Sequence, residues 1–82
     1  SMIDEQIQDG DYIVVKKTAF ARSGQIVVAI INDEATLKCY VPKLDHIELH
    51  PRNPEFPVIT IKETDKFHIN GVLLYSFREY PS

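Results

Sequence analysis

The chain has no tryptophan, one cysteine, one methionine and three glycines among its 82 residues. A lone thiol, Cys39, cannot close an internal disulfide, and no Cys/His quartet stands at zinc spacing, so a disulfide scaffold and a zinc module are both excluded. No metal or other cofactor is expected, and a reducing, cytoplasmic setting fits best. Basic charge is also scarce: nine Lys and Arg against twelve Asp and Glu leave a net charge of −3, with the cations scattered from Lys16-Lys17 to Arg78. No basic stripe is present to hold a phosphate backbone. The longest apolar run, Ile26 to Ile31, falls far short of the roughly 20 residues of a membrane helix, and no basic-then-apolar leader opens the chain. Neither membrane insertion nor secretion is expected.

What is present is the composition of a globular chain, 44% apolar and 26% charged. With no internal repeat, linker or low-complexity tract, residues 1–82 read as a single domain or part of one. So short a chain buries only about 60% of the surface its unfolded form exposes, which makes its core thin and favours self-association. From Tyr12 onward, β-branched runs predict six strands: Tyr12 to Lys16, Gln25 to Ile31, Ala35 to Val41, His46 to His50, Val58 to Lys62 and Val72 to Phe77. Turn residues separate them, among them Asp9-Gly10-Asp11, Asn32-Asp33-Glu34 and Asn70-Gly71, and consecutive hairpins are the expected connection. The run from Gln25 to Ile31 is apolar at both alternating sets and should form the centre of the core. The next run places Leu37, Cys39 and Val41 on one face and Thr36, Lys38 and Tyr40 on the other. Only the opening, with Ile3 and Ile7 at i,i+4, predicts a short N-terminal helical turn.

Few constellations carry chemistry. A hydroxyl at Ser1 and an amine at Lys38 could form a serine-lysine pair, in which an uncharged amine takes the hydroxyl proton without help from His or Asp. The lysine must first be made neutral, and burial beside apolar groups is the usual means. Taken alone, Lys38 reads as a solvated strand lysine. His46 and His50 flank Glu48 on one strand face, but the two histidines lie about 13 Å apart at i,i+4 and cannot share one ion. That stretch reads as a polar face with Ile47 and Leu49 in the core. Cys39 reads as a small buried hydrophobe, and the loop from Pro51 to Pro57 as a structural crossover with Phe56 in the core.

Several segments carry a resemblance in order: Ser1-Met2; Asp9-Gly10-Asp11; Ser23-Gly24-Gln25-Ile26-Val27-Val28-Ala29; Glu34-Ala35-Thr36-Leu37-Lys38; Leu49-His50-Pro51-Arg52-Asn53-Pro54-Glu55-Phe56; and Ile69-Asn70-Gly71-Val72. Together they resemble the C-terminal half of the self-cleaving peptidase domain of LexA-type SOS repressors, shared with UmuD-like proteins and phage repressors. The resemblance implies a mostly β fold, a small antiparallel twisted sheet or partial barrel, with Ser1 as nucleophile and Lys38, 37 positions later, as general base. Cys39 departs from the family pattern, which often has Arg or Lys after the base lysine.

By the same resemblance, the parent protein cleaves itself at an Ala-Gly-type bond, pairs as a homodimer through this domain, answers to a RecA-DNA filament, and meets DNA only through an N-terminal helix-turn-helix domain absent here. With no cleavage-site strand before Ser1, the fragment is expected to be inactive on its own. Ser1-Met2 also matches the scar left by a protease-cleaved tag, which keeps a second origin for Ser1 open. The alternative reading is a non-catalytic β-rich dimerisation or partner-binding module. In that reading Lys38 is an ordinary surface lysine. Self-association would run through the C-terminal strand, with Val72, Leu74 and Ser76 alternating with Leu73, Tyr75 and Phe77.

Overall fold

A computed structural model describes residues 10–81. The expected N-terminal helical turn and Ser1 lie outside the described residues. Six strands form one open antiparallel sheet: β1 (Tyr12–Lys17), β2 (Ile26–Ile31), β3 (Glu34–Pro42), β4 (Ile47–His50), β5 (Ile59–Ile61) and β6 (Phe67–Phe77). The mostly β expectation holds, and each predicted run falls within a residue or two of a strand except the last. Among the described residues no helix is long and apolar enough to cross a membrane.

The spatial order is β1-β6-β2-β3-β4-β5. From β2 to β5 the strands follow one another as hairpins, as expected. The last strand departs from that pattern by returning across the sheet to insert between β1 and β2. The β2–β3 hairpin closes through Asn32 and Asp33, whose φ angles of 50° and 70° are those of a two-residue turn that matches strand twist. Asn32 then reaches beyond its own hairpin. Its backbone N–H donates to the Lys66 carbonyl at 2.8 Å, its side-chain amide donates to Asp65 at 3.0 Å, and its side-chain oxygen accepts from the Lys66 N–H at 2.9 Å. The turn between β5 and β6 is thereby pinned beside the β2–β3 turn, and Ile31 lies opposite Phe67 in the ladder.

The core lies on one face of the sheet. Val27, Ala29, Leu49, Ile69 and Val72 form the buried core, with Ile31, Tyr40, Ile47, Ile59, Ile61 and Phe67 packed against it. Register puts Thr36 opposite Ala29, Lys38 opposite Val27 and Leu49 opposite Tyr40, so the core lies on the Lys38 side of β3. The more apolar set, Leu37, Cys39 and Val41, occupies the other face and is half-buried. Phe56 is also not in the core, being 47% exposed in its loop.

Asn70-Gly71 is not a turn. It lies inside β6 at a bulge, where Val28 pairs with Gly71 and Ala29 with Ile69, leaving Asn70 as the extra residue. A second irregularity opposite Val14 and Val15 leaves Leu74 as the extra residue on the β1 side. The first bulge brings Ile69 and Val72, three residues apart, onto the core face together. The second breaks the alternation read from the sequence, because Tyr75 and Phe77 oppose Val14 and Tyr12, which share the β1 face of Lys16 and hence of Val72. At the far end, the Arg78 guanidinium donates to both oxygens of Asp11, at 2.6 and 3.1 Å. This pair raises the Arg78 pKa above its ordinary value, chiefly through the hydrogen bond to Asp11, and joins the start of β1 to the end of β6.

Gly71 is fixed by close approach. A Cβ there would stand 3.0 Å from the Lys16 carbonyl oxygen and 3.2 Å from Val15 Cγ1, and the first of these is backbone held in the ladder. Replacing Gly71 by Ala is expected to cost about 1–3 kcal/mol of stability through overpacking, measured as a lower urea midpoint. An unchanged midpoint would mean that β1 can move aside without loss.

Candidate active site

Lys38 sits mid-strand in β3, with Thr36 two residues before it on the same face. Its Nζ donates to Thr36 Oγ1 at 2.9 Å and to the Leu37 carbonyl at 3.2 Å. Neighbouring apolar groups, including the fully buried Val27 directly opposite, take water from the ammonium, and this burial lowers the Lys38 pKa from the ordinary value. The solvated-lysine expectation is therefore corrected: the side chain is half-buried and its charged form is disfavoured. The Thr36 hydroxyl accepts from the ammonium and holds Nζ at a fixed place on the sheet face. Strand alternation could have picked out Thr36, because a residue two positions from a candidate base shares its face.

The sheet register extends this site sideways. Lys16 lies opposite Val72, Val72 opposite Val27, and Val27 opposite Lys38, one residue from each of β1, β6, β2 and β3. Two hollows flank the row on the core face. One, of about 460 Å³, is lined by Lys16, Phe20, Ala21, Arg22, Val72 and Leu74 among others. The other, of about 300 Å³, includes Ile31, Glu34, Thr36 and Ile59.

The remaining candidates are elsewhere. Cys39 opposes Ile26 and His50 on the reverse face, so its thiol points away from Lys38. Glu48 bridges two histidines on that same reverse face, with Oε2 at 2.8 Å from His46 Nε2 and Oε1 at 2.8 Å from His50 Nε2, while His46 Nδ1 lies 2.7 Å from Asp45. These contacts raise the His46 pKa, first through Glu48 and then through Asp45, and lower that of Glu48, first through His46 and then through His50. Among the described residues no group of three His, Cys, Asp or Glu is arranged to hold a metal ion. The network instead ties the β3–β4 turn to β4.

The Peptidase S24-like family matches residues 1–74. The chain belongs to this family. Relatives among Peptidase S24-like proteins include the LexA repressor of Syntrophotalea carbinolica, 48% identical over the whole chain and 41% of the relative's length. The LexA repressor of Leptospira interrogans is 45% identical over 98% of the chain, and that of Bordetella pertussis 43% identical over 99%, each match covering 38% of the relative. The chain thus spans about two-fifths of the length of these repressors. Its family membership and the sheet agree with the LexA-like peptidase fold expected from sequence.

The lowered Lys38 pKa has a consequence for stability. Below its folded pKa the lysine is charged in both folded and unfolded chains, and the folded chain alone bears the desolvation. As pH rises from the folded pKa to the unfolded value of 10.5, the unfolded chain holds the proton longer, so stability rises with pH across that window. Lys38→Met is therefore expected to melt at a higher temperature than the parent at neutral pH, with the gain shrinking as pH approaches 10.5. Thermal melts across that range check this. A Met variant no more stable at neutral pH would show that the ammonium is well solvated.

Proposed function

We propose that residues 1–82 are part of one LexA-like peptidase domain and that Ser1 and Lys38 are the serine-lysine dyad of a self-cleaving repressor. The observation that carries this reading is the Lys38 amine, drawn off water on the core face and held by Thr36, in a chain of the Peptidase S24-like family. In the proposed reaction the neutral Lys38 amine takes the Ser1 hydroxyl proton as Oγ attacks the carbonyl carbon of a peptide bond in the same polypeptide. Main-chain N–H groups steady the oxyanion, a contribution typically worth about 3 kcal/mol. The Lys38 ammonium then gives its proton to the leaving amine, and water releases the acyl group from Ser1. The non-catalytic alternative has no use for a desolvated lysine beside a hydroxyl.

The wider setting is part of the same proposal. The parent protein is a cytoplasmic SOS repressor that binds DNA through a separate N-terminal domain and is induced by a RecA-DNA filament. Family membership and the similarity to LexA repressors support the repressor part of this reading. The test of the dyad is a chain extended upstream through the cleavage segment. Incubation at alkaline pH, which frees more of the Lys38 amine, is expected to yield two fragments, and Lys38→Ala to abolish the cut. Cleavage persisting in that variant would end the dyad reading.

We also propose that the domain forms a homodimer through the outer end of β1 and β6. Tyr12 stacks on Phe77 with ring centroids 5.3 Å apart, Tyr75 tilts against Phe77 at 6.5 Å, and each of these side chains stays half or more exposed. An isologous partner would remove this aromatic surface from water. Sedimentation equilibrium is expected to show a dimer that Tyr75→Glu weakens. A dimer indifferent to the substitution, or a monomer throughout, would refute this interface.

A further inference from the structure

The hollow at the Lys16 end of the four-residue row is unlike the rest of the core face. Its lining includes the apolar Val72, Leu74 and Ala21 and two cations, Lys16 and Arg22, and among the described residues no carboxylate. Among the described residues neither cation makes an ion pair. The wall bearing Arg22 is built before any ligand arrives. The Arg22 N–H donates to Gln25 Oε1 at 2.7 Å, the Gln25 N–H donates back to the Arg22 carbonyl at 3.1 Å, and the Phe20 N–H donates to Thr18 Oγ1 at 3.2 Å. Gln25 is in turn anchored to β3, because its carbonyl accepts from the Tyr40 N–H at 2.8 Å. Phe20, 84% exposed, stands at the rim.

Two cations with no ion pair among the described residues, beside an apolar lining, complement a carboxylate carried on a hydrophobic stem or next to an apolar neighbour. The position of the hollow selects among molecules of that chemistry. Three strand spacings separate Lys16 from Lys38, about 14 Å, which is the length of about four residues of extended chain. The hollow on the other side of Lys38 has the opposite character, with Glu34 in its lining and, among the described residues, no cation. A peptide laid across the face therefore meets a cationic site at one end and an acidic one at the other.

We propose that the Lys16–Arg22 hollow is a specificity subsite for an extended peptide, taking an acidic side chain about four residues from the bond presented to Lys38. This rests on the dyad reading for the direction of the peptide, but the binding it asserts does not depend on cleavage. An exposed pair of cations gives a modest preference that salt screens, so the subsite selects a register and does not by itself supply high affinity.

The test uses the 82-residue chain, labelled with nitrogen-15, and capped peptides of alternating alanine and valine with Glu at the first or the last position, each matched by a Gln counterpart. One of the Glu peptides is expected to shift the amide signals of Lys16, Ala21, Arg22 and Val72 and to bind about three- to tenfold more tightly than its Gln counterpart. The preference should fall with added salt and vanish when Lys16→Gln and Arg22→Gln are combined, while Lys38→Ala keeps it. Equal binding of Glu and Gln peptides, signal shifts elsewhere, or no saturable binding would overturn the subsite. So would inorganic phosphate reproducing the shifts and erasing the Glu preference, since the hollow would then hold any anion. Because Lys38→Ala retains the preference if the subsite exists, a failed subsite and a failed dyad give different results.

Discussion

The insertion of β6 between β1 and β2 is the constraint on which the other features depend. A chain that has run out to β5 must return past the β2–β3 turn to reach that slot. One face of the sheet becomes the inside. Leu49, Ile59, Ile61 and Phe67 meet Val27 and Ala29 there, and Asn32 fastens the returning turn with three hydrogen bonds. Lys38 lies on that face, opposite the buried Val27, and loses water there.

Much of the fold was legible in the chain. Strand positions followed from β-branched runs, and the β2–β3 hairpin from Asn32-Asp33, because both signals are local. The choice of inner face was not legible. Leu37, Cys39 and Val41 are more apolar than Thr36, Lys38 and Tyr40, and alternation alone favours the first set as core. Contacts with Phe67, Ile59 and Ile61, distant in sequence, decide for the second set. The beginning of β6 was hidden for a related reason. Asn70-Gly71 has turn chemistry, yet the same permissive pair serves a bulge, and only pairing with β1 and β2 distinguishes the two.

The candidate site divides in the same way. Lys38 stood out through the family resemblance and the order of its motifs, and Thr36 follows from strand alternation. Lys16 and Arg22 gave no signal. They are six residues apart in sequence, one in a strand and one in a loop, and they line a common hollow because the segment after β1 folds back over Val72 and Leu74. Cys39 and the Asp45–His46–Glu48–His50 network carry conspicuous residue types and lie on the reverse face. Residue chemistry was therefore a weaker guide than the side of the sheet.

The two edges of the sheet have a bearing on solubility. Among the described residues β1 and β5 are the outermost strands, and an outer strand offers its spare backbone groups to any other extended chain. β5 is only three residues long, too short to template much growth. β1 is longer and contains Ile13, Val14 and Val15, but it ends in Lys16 and Lys17, whose charges repel a second copy approaching in the same way. Lys16 thus serves the strand as well as the hollow. Its positive charge discourages edge-to-edge pairing of sheets into fibrils.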